Sequence, residues 1–250
     1  MRNRFLIGAI GVVLCAGSVL ADTRIEFKTT EGTGDLTAFT IAQGKIRTDG
    51  DKNTTVILDP GAGVMTVLDH GKKTFMKITR ADLDALVKQL EDMMAQVPPE
   101  MRQMMAARMG GAGAAVVMAP TGQSSTVAGK SCKIYQMTAT GRVVSETCLA
   151  EVSAIDISAA DRATLQAAAA WSKDLTDSFA KTPIGSIGDS IPFKGGLIPL
   201  RSTTIAANGT RNTSEFAGVS TAAVTADTFA IPADYKEQKL GMGRGRGGRP

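Results

Sequence analysis

Histidine is almost missing from this chain of 250 residues: His70 stands alone. A single imidazole excludes multi-histidine zinc centres, and it leaves any serine nucleophile with one residue to serve as base. Cysteine is nearly as scarce, with three in the chain, and their spacing forms no CxxC redox motif. Beyond the first twenty residues no apolar run approaches the ~18 residues that a membrane-crossing helix needs. An electrostatic footprint for nucleic acid is missing as well. The formal charge is +4, but Arg2 and Arg4 lie at the extreme N-terminus and Arg244, Arg246 and Arg249 in a glycine-rich tail, so the body carries about −1.

What the chain does have begins with its leader. Met1-Arg2-Asn3-Arg4 is a basic start, residues 5–16 form an apolar stretch too short to span a bilayer, and Val19 and Ala21 fit a cleavage site. Residues 1–21 are thus expected to be a signal peptide, with a mature periplasmic protein starting near Asp22. Cys15 follows Leu14 inside the apolar run, so it lacks the small neighbour that lipidation requires. Export removes ready access to ATP and NAD, and no cofactor is expected. Cys132 and Cys148 remain after cleavage, and an even pair in an oxidising compartment is expected to bridge. The intervening residues read as a hairpin, and a three-residue loop centred on Thr140 would set the two cysteines directly opposite one another.

With 43% hydrophobic residues the chain can build a packed core, and residues 22–240 are expected to form one domain. From Asp22 to Ile78 short apolar runs alternate with glycine turns, which argues a meandering antiparallel sheet. The pattern resumes around the cysteines, from Leu197 to Ile205, and after Asn208-Gly209. Two helical stretches interrupt it. The first starts at Thr79 with Asp82 in a capping-box position, runs through Leu83, Leu86, Val87, Leu90, Met93 and Met94, breaks at Pro98-Pro99, and continues with Met101, Met104, Met105 and Met109 as an insertion over about 79–110. The second is capped by Ser158 and carries Leu165, Ala168, Trp171, Leu175 and Phe179. The expected fold class is α+β, a curved antiparallel sheet with helices packed on its concave face. The tail, residues 241–250, has nothing to bury and is expected to be disordered.

Motifs that could carry chemistry fall short of their requirements. Asp49-Gly50-Asp51-Lys52-Asn53 opens like a calcium loop, yet Thr54 and Pro60 replace the required glycine and glutamate. Gly129-Lys130-Ser131 ends like a phosphate loop, but Ser124 occupies the leading glycine position. Gly188-Asp189-Ser190-Ile191 resembles an esterase nucleophile block without the late histidine such enzymes use. No catalytic residue, and no metal, is assigned. Methionine is abundant instead: twelve in all, seven of them from Met93 to Met118. Flexible, polarisable side chains suit a surface that fits varied apolar ligands, and Met93, Met94, Met101, Met104 and Met105 are the candidate ligand-binding residues. Core packing is the plainer use of the same residues. Thioethers also bind Cu(I), but no histidine or free thiolate supports a copper site here.

Several blocks together carry a resemblance. Gly44-Lys45-Ile46-Arg47-Thr48-Asp49, Asp69-His70-Gly71-Lys72-Lys73-Thr74-Phe75, the Val127 to Tyr135 hairpin with Ser145-Glu146-Thr147-Cys148, Gly196 to Arg201 and Phe229 to Lys236 resemble a family of bacterial exported domains of unknown function. That family is similar in turn to the lipoprotein-localisation-factor (LolA/LolB-like) fold, an incomplete β-barrel around a greasy cavity. The resemblance implies a non-enzymatic binding or carrier protein for a hydrophobic ligand, lipid or lipidated partner. The alternative is a structural or envelope-interaction protein whose core is filled by its own side chains.

Overall fold

A computed structural model describes residues 22–31, 37–49, 53–98, 100–101, 117–139, 141–180, 196–222 and 224–240. The expected signal peptide at 1–21, the Arg/Gly tail at 241–250 and the Gly188 block lie outside the described residues.

Alternating apolar and polar residues produce six consecutive strands, β1 (Asp22–Glu31), β2 (Thr37–Ala42), β3 (Lys45–Asp49), β4 (Thr54–Asp59), β5 (Val64–Asp69) and β6 (Thr74–Thr79). They pair antiparallel in sequence order. Gln43 and Gly44 both adopt positive φ, 53° and 72°, the twist that a two-residue hairpin loop requires. Helix α1 (Arg80–Ala95) follows β6 with no intervening residue. A second meander comprises β7 (Val117–Val127), β8 (Lys130–Ala139), β9 (Arg142–Glu151), β10 (Leu197–Ile205) and β11 (Arg211–Ala222), with α2 (Ala159–Ala180) between β9 and β10. The two meanders join where β11 pairs antiparallel with β1. A two-residue strand, β12 (Lys236–Glu237), runs parallel to β6 at one edge. The result is one twelve-stranded sheet in the order β12-β6-β5-β4-β3-β2-β1-β11-β10-β9-β8-β7.

Both helix starts obey their local sequence. In α1 the Thr79 hydroxyl accepts from the Asp82 amide at 3.2 Å while the Asp82 carboxylate accepts from the Thr79 amide at 2.9 Å, a reciprocal capping box. In α2 the Asp161 amide donates to the Ser158 hydroxyl at 3.0 Å. The Asp161 carboxylate also accepts from Thr23 on β1 at 2.6 Å, which pins the start of α2 to the centre of the sheet. The main core gathers Ile25, Phe27, Ile41, Ile46, Ile198 and Leu200 from the strands with Leu165 and Ala168 from α2.

The expected α+β class, with helices packed over the sheet, is corrected: the protein is largely β. Twelve strands form its frame, and α1 and α2 are the only α-helices of length among the described residues. The apolar residues are used chiefly within the strands, and among the described side chains of α1 Leu83 alone is deeply buried. Residues 117–127, whose neighbours read as part of a methionine-rich helical insertion, are a strand. The cause lies in the turn that follows, where Ala128 and Gly129 at φ 47° and 75° fold β7 back against β8.

The expected disulfide is present between Cys132 and Cys148, with Cα atoms 5.3 Å apart. Its register differs from the expected one. Ala139 pairs with Arg142, leaving a two-residue loop, and the register shifts again between Met137 and Thr138. Cys148 therefore faces Ile134, two residues along β8 from Cys132, and the bridge runs diagonally. A displacement of two keeps both thiols on one face of the sheet, so the bond still closes.

Candidate ligand-binding face

Strand register sorts the β3–β6 half of the sheet into two unlike faces. On one, Ile46, Leu58, Met65 and Ile78 line up across the strands, followed by Val56, Val67 and Met76. On the other stand Asp49, Thr55, Leu68 and Phe75, with Arg47, Ile57, Thr66 and Lys77 beside them.

The first face is apolar and half open. Ile78 and Leu83 form its buried centre, and Met65, Val67 and Met76 from the sheet, Leu86 and Val87 from α1, and Trp171 and Leu175 from α2 pack around them while keeping partial exposure. An Arg80 to Asp174 ion pair at 3.5 Å ties the two helices beside this cluster. Among these side chains only the Trp171 indole carries a hydrogen-bond donor, so the surface holds apolar matter chiefly by burial, at roughly 25 cal/mol per Å² of area removed from water.

Of the methionines singled out in the sequence, only Met93 and Met101 have side chains among the described residues. Met93 is 45% exposed and Met101 49% exposed, and neither belongs to the apolar cluster. The side chain of Met94, and Met104 and Met105 altogether, lie outside the described residues. Met65 and Met76 stand on the face instead, and nothing in their sequence context marks them out beyond a place in strand-like runs. Leu86, Val87, Trp171 and Leu175 were legible as helical stripes.

The second face is covered by the chain's own C-terminal segment. The Val224 amide donates to Asp22 at 2.6 Å, the Arg47 guanidinium donates to the Thr228 carbonyl, and Lys73 pairs with Asp234 at 2.9 Å. The segment then reaches β6, and Leu240 turns back into the apolar cluster of the first face. Beneath it runs a directional hydrogen-bond chain. Thr55, 1% exposed, donates to Asp49 at 2.7 Å, so its oxygen accepts from His70 Nε2 at 2.9 Å, and His70 Nδ1 is hydrogen-bonded to the Tyr235 hydroxyl at 2.6 Å. Burial alone pushes the Asp49 carboxyl up, but hydrogen bonds from Arg47 and Thr55 outweigh it and hold the group below its ordinary value.

His70 is thus engaged as a clasp between sheet and C-terminal segment. The Asp49 carboxylate of the calcium-like motif is occupied by Arg47 and Thr55, and Gly129 of the phosphate-loop-like motif is a hairpin turn. Among the described residues no cluster of three or more histidine, cysteine or acidic side chains could hold a metal ion, and no helix is long and apolar enough to cross a membrane.

No protein-family model matches the chain, and no curated protein matches it in sequence. Solved structures are similar at a distance. An uncharacterized conserved protein from Thermus thermophilus is 6% identical, with a TM-score of 0.42 over 89% of this chain and 93% of its own. MucB in complex with MucA(peri) is 14% identical, with a TM-score of 0.29; the match takes in 87% of this chain but 56% of MucB. A LolA superfamily protein from Nitrosomonas europaea is 6% identical, with a TM-score of 0.25 over 84% of this chain and 88% of its own.

Proposed function

We propose that the protein is a periplasmic, non-enzymatic binding or carrier protein for a hydrophobic ligand, lipid or lipidated partner, held on the half-open apolar face. The observation that carries this reading is the asymmetry of the sheet. One face is closed by the C-terminal segment and its hydrogen bonds, whereas Met65, Val67, Met76, Leu86, Val87, Trp171 and Leu175 stay partly exposed on the other. Contiguous apolar surface that a chain leaves uncovered is where association with apolar matter gains most. The disulfide accords with an exported protein.

Trp171 is the only tryptophan, so its fluorescence reports on this face without labelling. Titration with a fatty acid is expected to shift Trp171 emission saturably, and Met76→Glu is expected to weaken the response while the protein stays folded, because a half-exposed position can hydrate a carboxylate. Met101→Glu, away from the cluster, should leave binding unchanged. A wild-type protein whose Trp171 emission ignores every apolar ligand would favour the structural reading, in which the helices close the face for good.

A further inference from the structure

The sheet has two edges, and the chain treats them differently. At the β6 edge β12 is laid down as a cover, with the Lys236 amide donating to the Lys73 carbonyl at 3.0 Å and the Gln238 amide to the Phe75 carbonyl at 2.7 Å. At the other edge β7 pairs with β8 alone among the described residues. Its eleven residues, Val117 to Val127, contain no charged side chain; of the usual guards against edge pairing, Pro120 and a bulge interrupt the strand before Ser124 and leave Ser124 to Val127 without one. Gln123, Ser124 and Thr126 are exposed, as is Val117 at 52%.

We propose that β7 is a self-association edge, and that two copies of the protein pair antiparallel through it about a two-fold axis at Ser125. Val127 and Lys130 flank a two-residue loop, so they form a hydrogen-bonded pair, as do Ser125 and Cys132 two residues on. The amides and carbonyls of Ser124 and Thr126 therefore point away from β8. An axis at Ser125 sets Ser124 opposite Thr126 of the second copy and makes four backbone hydrogen bonds, with no charge on the paired strands to repel. The register shift between Pro120 and Ser124, with Gly122 at φ 79°, breaks the edge and confines pairing to this one register. Behind β7 the disulfide fastens β8 to β9, so the edge is held in place before association and loses little freedom on pairing. With β12 covering the far edge, the assembly closes at two copies.

Sedimentation equilibrium of the purified protein from micromolar to millimolar concentration is expected to show reversible monomer–dimer exchange. Amide exchange at Ser124 and Thr126 should slow as concentration rises. Thr126→Pro removes an outward amide without touching the β8 ladder, and Ser124→Lys sets two ammonium groups diagonally across the axis on one face of the paired strands. Each is expected to weaken dimerisation about tenfold or more. If the proline variant fails to fold, the lysine variant, altered only in an exposed side chain, decides. A single-copy mass at every concentration would overturn the proposal, and so would a dimer that both substitutions leave intact; an edge used for a different protein's strand would give the first result. Binding of fatty acid at the apolar face is read separately and does not enter this test.

Discussion

Asp49 shows how a single side chain can serve two neighbours at once. It accepts from Thr55 and pairs with Arg47, which in turn holds the Thr228 carbonyl, so the carboxylate supports the clasp over one face of the sheet. Its folded-state value lies below the ordinary carboxylate value, so its contribution is whole above about pH 4 and is lost as pH falls through the lower folded value. Asp49→Asn is therefore expected to lower the melting temperature at pH 7, with the gap to wild type closing as pH falls below the ordinary carboxylate value; a gap that persists in strong acid would mean the substitution acts through packing. The calcium-like rhythm around Asp49 drew attention in the sequence for another reason. Nothing in sequence spacing could show that Tyr235 and Thr228 would meet His70 and Arg47, 165 and 181 residues earlier.

At the scale of elements, local rules were legible and register was not. Thr79 with Asp82 and Ser158 with Asp161 announce their helices because capping is settled within four residues. The cysteine pairing was legible from compartment and spacing, but the pairing of Ala139 with Arg142 and the bulge beside it moved Cys148 two places along β8. Strand β7 was missed because small polar residues from Gln123 to Thr126 show no alternation of apolar with polar, and only the β8 partner makes them a strand. The bridge closes a separation of 16 residues, so Cys148→Ala is expected to cost about 2–4 kcal/mol of stability, measured by denaturant unfolding. Thiol labelling of the unfolded, unreduced protein should find neither Cys132 nor Cys148 free.

Over the whole molecule, the meander of β1 to β6 could be read from turn spacing, whereas the predominance of sheet over helix could not. Two helical stripes suggested a layer of helix over the sheet, since periodicity does not reveal how much of the frame the strands will make up, and most of the methionine-rich run lies outside the described residues. Equally hidden was the join between β1 and β11, which pairs Asp22 with Ala222 across almost the full described length of the chain. That join has a consequence in time. Strands β2 to β6 can zip up as successive hairpins, but one flank of β1 stays unpaired until residues 211–222 have emerged. A chain delivered from its N-terminus thus carries its most buried strand residues, Ile25 among them, without their second neighbour through most of its synthesis or passage. Such late, long-range closure folds slowly. A chain ended at residue 210 is expected to show no cooperative unfolding transition, because each half would present an open edge where the centre of the sheet should be. The strand that arrives first is completed among the last, and until then it is the segment a holding chaperone would have most reason to grip.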